Sequence, residues 1–161
     1  MEHLWAPWRM AYIGADDDQS KGCVFCVKPQ DDRDEDNLIL YRGERCFVLM
    51  NLFPYNNGHL MIAPYAHVPD IEHLDAETLT ELMLTAQKSL AALRTALHPD
   101  GFNMGINQGA SAGAGIADHV HFHIVPRWTG DTNFMTTVSE TRLEPEDLSE
   151  TYTKLRKALI L

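Results

Sequence analysis

Asp118-His119-Val120-His121-Phe122-His123-Ile124-Val125-Pro126 decides how this chain is read. Three histidines alternate with Val, Phe and Ile, a period of two. Successive side chains on a β-strand point to opposite faces, so the pattern predicts a strand over His119–Val125. Its three imidazoles share one face and its apolar residues share the other. The chain has eight histidines, and packing alone gives no reason to place three of them in one row. An imidazole near neutral pH serves as nucleophile, acid–base group or metal ligand. The triplet by itself also fits a bare zinc cluster, so its surroundings must decide.

Upstream lies Gly105-Ile106-Asn107-Gln108-Gly109-Ala110-Ser111-Ala112-Gly113-Ala114-Gly115, with four glycines and several small or amide residues. A segment of this kind lets backbone N–H groups approach a phosphate closely. It is not the dinucleotide-binding glycine pattern, and no P-loop Lys-Ser/Thr pair follows it. Downstream stands Pro126-Arg127-Trp128.

Further outward, short apolar runs predict strands at Leu38–Arg42, Cys46–Met50 and His59–Pro64, the first two joined by a hairpin turn at Gly43-Glu44. Asn56-Asn57-Gly58 signals a turn before the third. Asp75 can cap a helix on which Leu79, Leu82, Met83, Ala86, Leu90, Leu93 and Leu97 recur at three- and four-residue steps. His98-Pro99-Asp100-Gly101 ends it. Phe102–Asn107 reads as a fourth strand, and a last helix starts near Pro145 with Leu148, Tyr152, Leu155 and Leu159 on one side. The sum is an α+β fold, an antiparallel sheet of about five strands with helices packed on it. One domain is expected over 1–161. It divides into an N-terminal arm over 1–22, a core over 23–126 and a C-terminal extension with a helix over 127–161.

The net charge of −10 argues against nucleic acid as a partner, since backbone binding needs a basic face. It leaves room for a small anionic substrate held by local N–H groups and histidines. No apolar run of signal-peptide or membrane-spanning length is present, so a cytoplasmic location with no membrane contact is expected. Cys23-Val24-Phe25-Cys26 then reads as half a metal site or a reduced pair rather than a structural disulfide. Cys46, within an apolar strand, reads as core.

The stretch HVHFHIVP resembles the signature of the histidine triad nucleotide-binding family, His-x-His-x-His followed by apolar residues. Asn51-Leu52-Phe53-Pro54-Tyr55-Asn56-Asn57-Gly58-His59-Leu60-Met61-Ile62-Ala63-Pro64 is similar to that family's substrate strand, and the likeness runs from Cys23 to Val125. The flanks Leu4–Arg9 and Pro126–Phe134 resemble its bacterial diadenosine tetraphosphate phosphorylase branch.

The resemblance implies an enzyme acting at the α-phosphate of dinucleoside polyphosphates through a covalent nucleotidyl-histidine. His121 is the implied nucleophile. His123 and His119 stand beside it, His123 as the phosphate contact. Asn51 takes the ribose position. Asn107 and Gln108 both stand where the family contacts phosphate, and Ser111, Gly113 and Gly115 complete the loop. The eukaryotic fragile histidine triad hydrolases carry Gln where this chain has Gly115. That leaves room for inorganic phosphate as acceptor, with Arg127 and Arg142 as candidate charges.

The family's structural zinc maps onto Cys23, Cys26, His67 and His119, with His73 competing for the third place. Mg²⁺ would arrive with the substrate phosphates. A homodimer is implied, with Asp75–Leu97 and Phe102–Asn107 as contact elements. The alternatives are a nucleoside phosphoramidase or nucleotide hydrolase of the same family, and a nucleotide-binding regulator without catalysis.

Overall fold

The computed structural model describes residues 22–131 and 146–159. Its centre is a five-stranded sheet made of β1 (Ile39–Arg42), β2 (Cys46–Met50), β3 (Leu60–Pro64), β4 (Gly101–Ile106) and β5 (Phe122–Arg127). The spatial order is β1-β2-β3-β5-β4, and every neighbouring pair is antiparallel. Among the described residues three α-helices accompany it, α1 (Val24–Val27), α2 (Ala76–Leu97) and α3 (Leu148–Leu159). The expected α+β architecture is the one observed.

β2 and β3 are buried along their whole length, so their sequences are continuous apolar runs rather than alternating ones. On one face Leu40, Val48, Met50, Leu60, Ile62 and Ile124 meet Leu82, Ala86 and Leu93 of α2 and Tyr152 and Leu155 of α3. On the other, Ile39, Phe47, Leu49, Met61 and Ala63 pack around Phe25 of α1. β3 and β5 pair Met61 with His123 across this second face, which therefore carries the histidines.

Asp75 caps α2 as its sequence predicts, its carboxylate accepting from the Thr78 N–H at 2.7 Å. Such a cap is worth about 1 kcal/mol. His98 ends the helix in the left-handed conformation. Gly58 takes a φ of +71° against Leu97 and Leu93, a turn that a side chain would both strain and overfill. No helix among the described residues is long and apolar enough to cross a membrane.

The strand predicted from His119 begins only at Phe122. Before that point the chain leaves the β3 ladder. The Val120 N–H bonds the Val68 carbonyl at 2.8 Å, and the His119 ring reaches the Pro64 carbonyl. The third and fourth strands each start or end one residue from their sequence-based limits, at Leu60 and Gly101–Ile106. The arm with Trp5 and Trp8, the flank beyond Asp131, Arg142 and the helix start near Pro145 lie outside the described residues.

Candidate active site and metal centre

His121 is buried, and its Nδ1 lies 2.8 Å from the carbonyl oxygen of His119. A carbonyl only accepts, so Nδ1 carries the hydrogen and Nε2 keeps its lone pair. Burial pushes the ring below the ordinary imidazole value of 6.5, outweighing the opposing pull of that hydrogen bond. The arrangement is a neutral imidazole with a nucleophilic nitrogen at neutral pH.

His123 is fixed by a second histidine that the sequence reading did not single out. His59 is 1 % exposed, and its Nδ1 receives the Tyr55 backbone N–H at 3.0 Å and the Asn51 side-chain amide at 3.3 Å. With Nδ1 accepting, His59 carries its hydrogen on Nε2 and donates it to His123 Nδ1 at 2.9 Å. The hydrogen of neutral His123 then resides on Nε2. The Tyr55 ring stacks over both, at 4.7 Å from His59 and 5.9 Å from His123. The signal that could have found His59 was its place after Gly58, at the mouth of an apolar strand.

The His119 ring faces a second cluster. Its Nε2–H donates to the Pro64 carbonyl at 2.9 Å, leaving Nδ1 with a lone pair. Burial, the largest influence on it, lowers its pKa and keeps it neutral. That Nδ1 lies 3.2 Å from His67 Nδ1, 3.4 Å from Cys23 Sγ and 3.5 Å from Cys26 Sγ, while Cys26 and His67 approach to 3.3 Å. All four ligand atoms fall within 4.8 Å of one another.

A tetrahedral zinc with bonds of ~2.0 Å to nitrogen and ~2.3 Å to sulfur spaces its ligands about 3.3–3.8 Å apart. The donor set and its spacing fit that ion. The bond from His119 Nε2 to a carbonyl is also the outer contact that orients a ligating imidazole. His73 is not part of the group. It is exposed and faces Asp70 at 3.7 Å.

The remaining positions divide. Asn51 directly follows β2, with its Oδ1 accepting from the Phe53 N–H and its Nδ2 turned to His59. Gln108 is committed elsewhere, because its Oε1 accepts from the Ile71 N–H and its Nε2 donates to Glu72. Asn107 follows β4 directly. The glycine-rich loop bends at Gly109 and Gly113, both at positive φ, around a short 3-10 turn Ala110–Ala112 that leaves Ser111 exposed. Gly115 lies in an exposed bend of the same loop.

Arg127 is held by both carboxylate oxygens of Asp131 and by Asn103, so its charge is already matched. Cys46 is apart from all of this. Burial pushes its thiol up to about 12 beside Thr85 and Glu81, which makes it an inert core residue. A cavity of about 500 Å³ between Asn51–His59 and Glu146–Leu148 holds no triad histidine and shares Met50 and Leu148 with the helix-side core.

Comparisons with known proteins point the same way. The HIT domain family matches residues 32–130. The chain is 38% identical over 158 residues to a Mycobacterium tuberculosis protein named AP-4-A phosphorylase, covering 94% of this chain and 80% of that one. It is 36% identical over 89 residues to the bis(5'-adenosyl)-triphosphatase of Dictyostelium discoideum, covering 55% of this chain and 59% of that one. Among solved structures, a zinc-bound histidine triad family protein from Mycobacterium smegmatis superposes with a TM-score of 0.69 at 31% identity. The match covers 88% of this chain and 95% of the other.

Proposed function

This chain belongs to the HIT domain family and is an enzyme of its nucleotide hydrolase and transferase chemistry, and from that premise we propose that it cleaves dinucleoside polyphosphates through a nucleotide bound covalently to His121. The observation that carries the assignment is the tautomer. The His119 carbonyl takes the Nδ1 hydrogen and leaves His121 Nε2 with the lone pair. Nε2 attacks the α-phosphorus, an N–P bond forms, and the bond to the bridging oxygen breaks to release the remaining phosphate chain. An acceptor oxygen then attacks the same phosphorus and the N–P bond breaks.

His123, with its hydrogen on Nε2, donates to phosphate oxygens as charge develops on them. Its supply of a hydrogen on that nitrogen depends on His59, whose own state is set by the Tyr55 amide. Asn51 meets the ribose and links that recognition to His59. Asn107, Ser111 and the loop at Gly113 and Gly115 cradle the phosphates.

Cys23, Cys26, His67 and His119 would hold one structural zinc, which supplies a tether between α1, the Val68 segment and the histidine strand. Mg²⁺, if used, comes with the substrate's phosphates.

Inorganic phosphate is the acceptor in this reading, as in the phosphorylase named among the relatives. Diadenosine tetraphosphate then yields ADP and ATP. The triphosphatase relative favours water as acceptor, which yields AMP and ATP. Product analysis with and without phosphate separates the two. Phosphate that neither speeds turnover nor converts AMP to ADP among the products makes the chain a hydrolase. A nucleotide trapped on any residue but His121 removes the assignment of nucleophile.

A further inference from the structure

One buried ring without a task in the mechanism stands against the catalytic histidines. Phe25 is 1 % exposed and sits within the turn that carries Cys23 and Cys26. Its ring centroid is 4.7 Å from that of His121 and 5.3 Å from that of His119. On its other sides it packs among Ile39, Phe47, Leu49, Met61 and Ala63.

α1 has four residues, a single turn closed by the bonds of Val27 and Lys28 to Cys23 and Val24. A turn of that length has no stability of its own, because nucleation costs more than one hydrogen bond returns. The Phe25 ring in the sheet face, with Val24 packed beside it, and the two thiols facing His67 and His119 hold it in place.

We propose that Phe25 is a positioning residue for His121, and that the Cys23–Cys26–His67–His119 cluster, when loaded with metal, holds it there. An imidazole torsion is broad and two-fold, so one hydrogen bond does not define the ring. His121 has its Nδ1–H bond to the His119 carbonyl on one side, the His123 ring at 4.8 Å, and Phe25. His119 belongs to both centres, since its main chain accepts the bond from His121 and its side chain faces both thiols. Metal in the cluster thus clamps the acceptor of the nucleophile's hydrogen bond and the wall against which the ring rests. Its consequence for turnover rests on His121 being the nucleophile.

The test follows the His121 Nδ1–H directly by ¹H–¹⁵N spectroscopy of the full chain, without substrate, in the zinc-loaded protein, after chelation, and in Phe25→Ala and Phe25→Leu. Phe25→Ala with one zinc retained should exchange that hydrogen at least about tenfold faster, and Phe25→Leu should stay within about threefold of the parent. Chelation of the parent should reproduce the alanine effect. In turnover, Phe25→Ala should lose about a hundredfold in kcat with KM little changed, the scale of a misplaced reacting group.

Parental exchange in the zinc-loaded alanine variant overturns the positioning role. If Phe25→Ala fails to fold, Phe25→Val, which also withdraws the ring from His121, takes its place, faster exchange supporting the role and parental exchange overturning it. Unchanged exchange after chelation, or no zinc bound on addition of the metal, overturns the clamp. The resonance needs no nucleotide, so a protein inactive on dinucleoside polyphosphates rejects the functional reading while leaving this one decided by the spectrum.

Discussion

His121 and His123 stand two residues apart and hold opposite tautomers, because one donates to a main-chain carbonyl and the other accepts from a neighbouring histidine. The triad's alternation announced three imidazoles on one face, but a sequence carries no information on which nitrogen bears a hydrogen. That depends on partners 64 positions away for His123 and 55 for His119. Two outcomes follow at this scale. Burial holds His121 neutral below its ordinary value, so protons bind the unfolded or open ring first, and activity persists as pH falls to 6.5. The acid limb of kcat/KM should have its midpoint below 6.5, and a midpoint above that value removes the reading of His121 as a desolvated, neutral nucleophile. Asn107 and Gln108, indistinguishable by spacing, should separate on substitution. Asn107→Ala should lower kcat/KM by about a hundredfold. Gln108→Ala, which loses only its bonds to Ile71 and Glu72, should keep it within about threefold, as steady-state kinetics would record.

Elements were legible in proportion to their periodicity. Leu82, Ala86 and Leu93 at helical steps fixed α2, and Asp75 marked its first turn. Apolar runs fixed β2 and β3. The four-residue α1 and the 3-10 turn Ile71–His73 were not legible, since a single turn has no period and these exist through contacts across the sheet. The departure of His119–His121 from the β3 ladder was hidden for the same reason. α3 owes its seat to Leu155 in the core and to two polar reaches over β1, from the Tyr152 hydroxyl to the Ile39 carbonyl at 2.9 Å and from Arg156 to the Leu40 carbonyl. Tyr152→Phe should therefore cost about 1 kcal/mol or somewhat more, the value of a buried hydrogen bond whose acceptor is stranded. Urea unfolding at an unchanged m-value would measure it, and a midpoint equal to the parent's would contradict it.

In the whole molecule the two edges of the sheet differ. β1 is covered by α3, whereas β4 pairs only with β5 among the described residues and exposes Met104. An uncovered edge is a site of pairing, and with Met83 and Leu84 exposed on α2 it motivates the expected homodimer through β4 and α2. Light scattering at micromolar concentration should return twice the chain mass of 18.2 kDa, and a value equal to that mass would refute the dimer. Metal removal should lower the melting temperature, because metal bound only by the folded chain stabilises it by mass action. A melting curve indifferent to chelation would leave the cluster without a structural metal. The cover over β1 has a further consequence, for synthesis. Tyr152 lies 113 positions after Ile39, so β1 waits for α3, which is made long after it. A nascent chain halted on the ribosome before residue 148 holds every triad histidine yet leaves the first strand's carbonyls and the seat of Leu155 bare, an opening for chaperones and proteases that closes only when α3 has emerged.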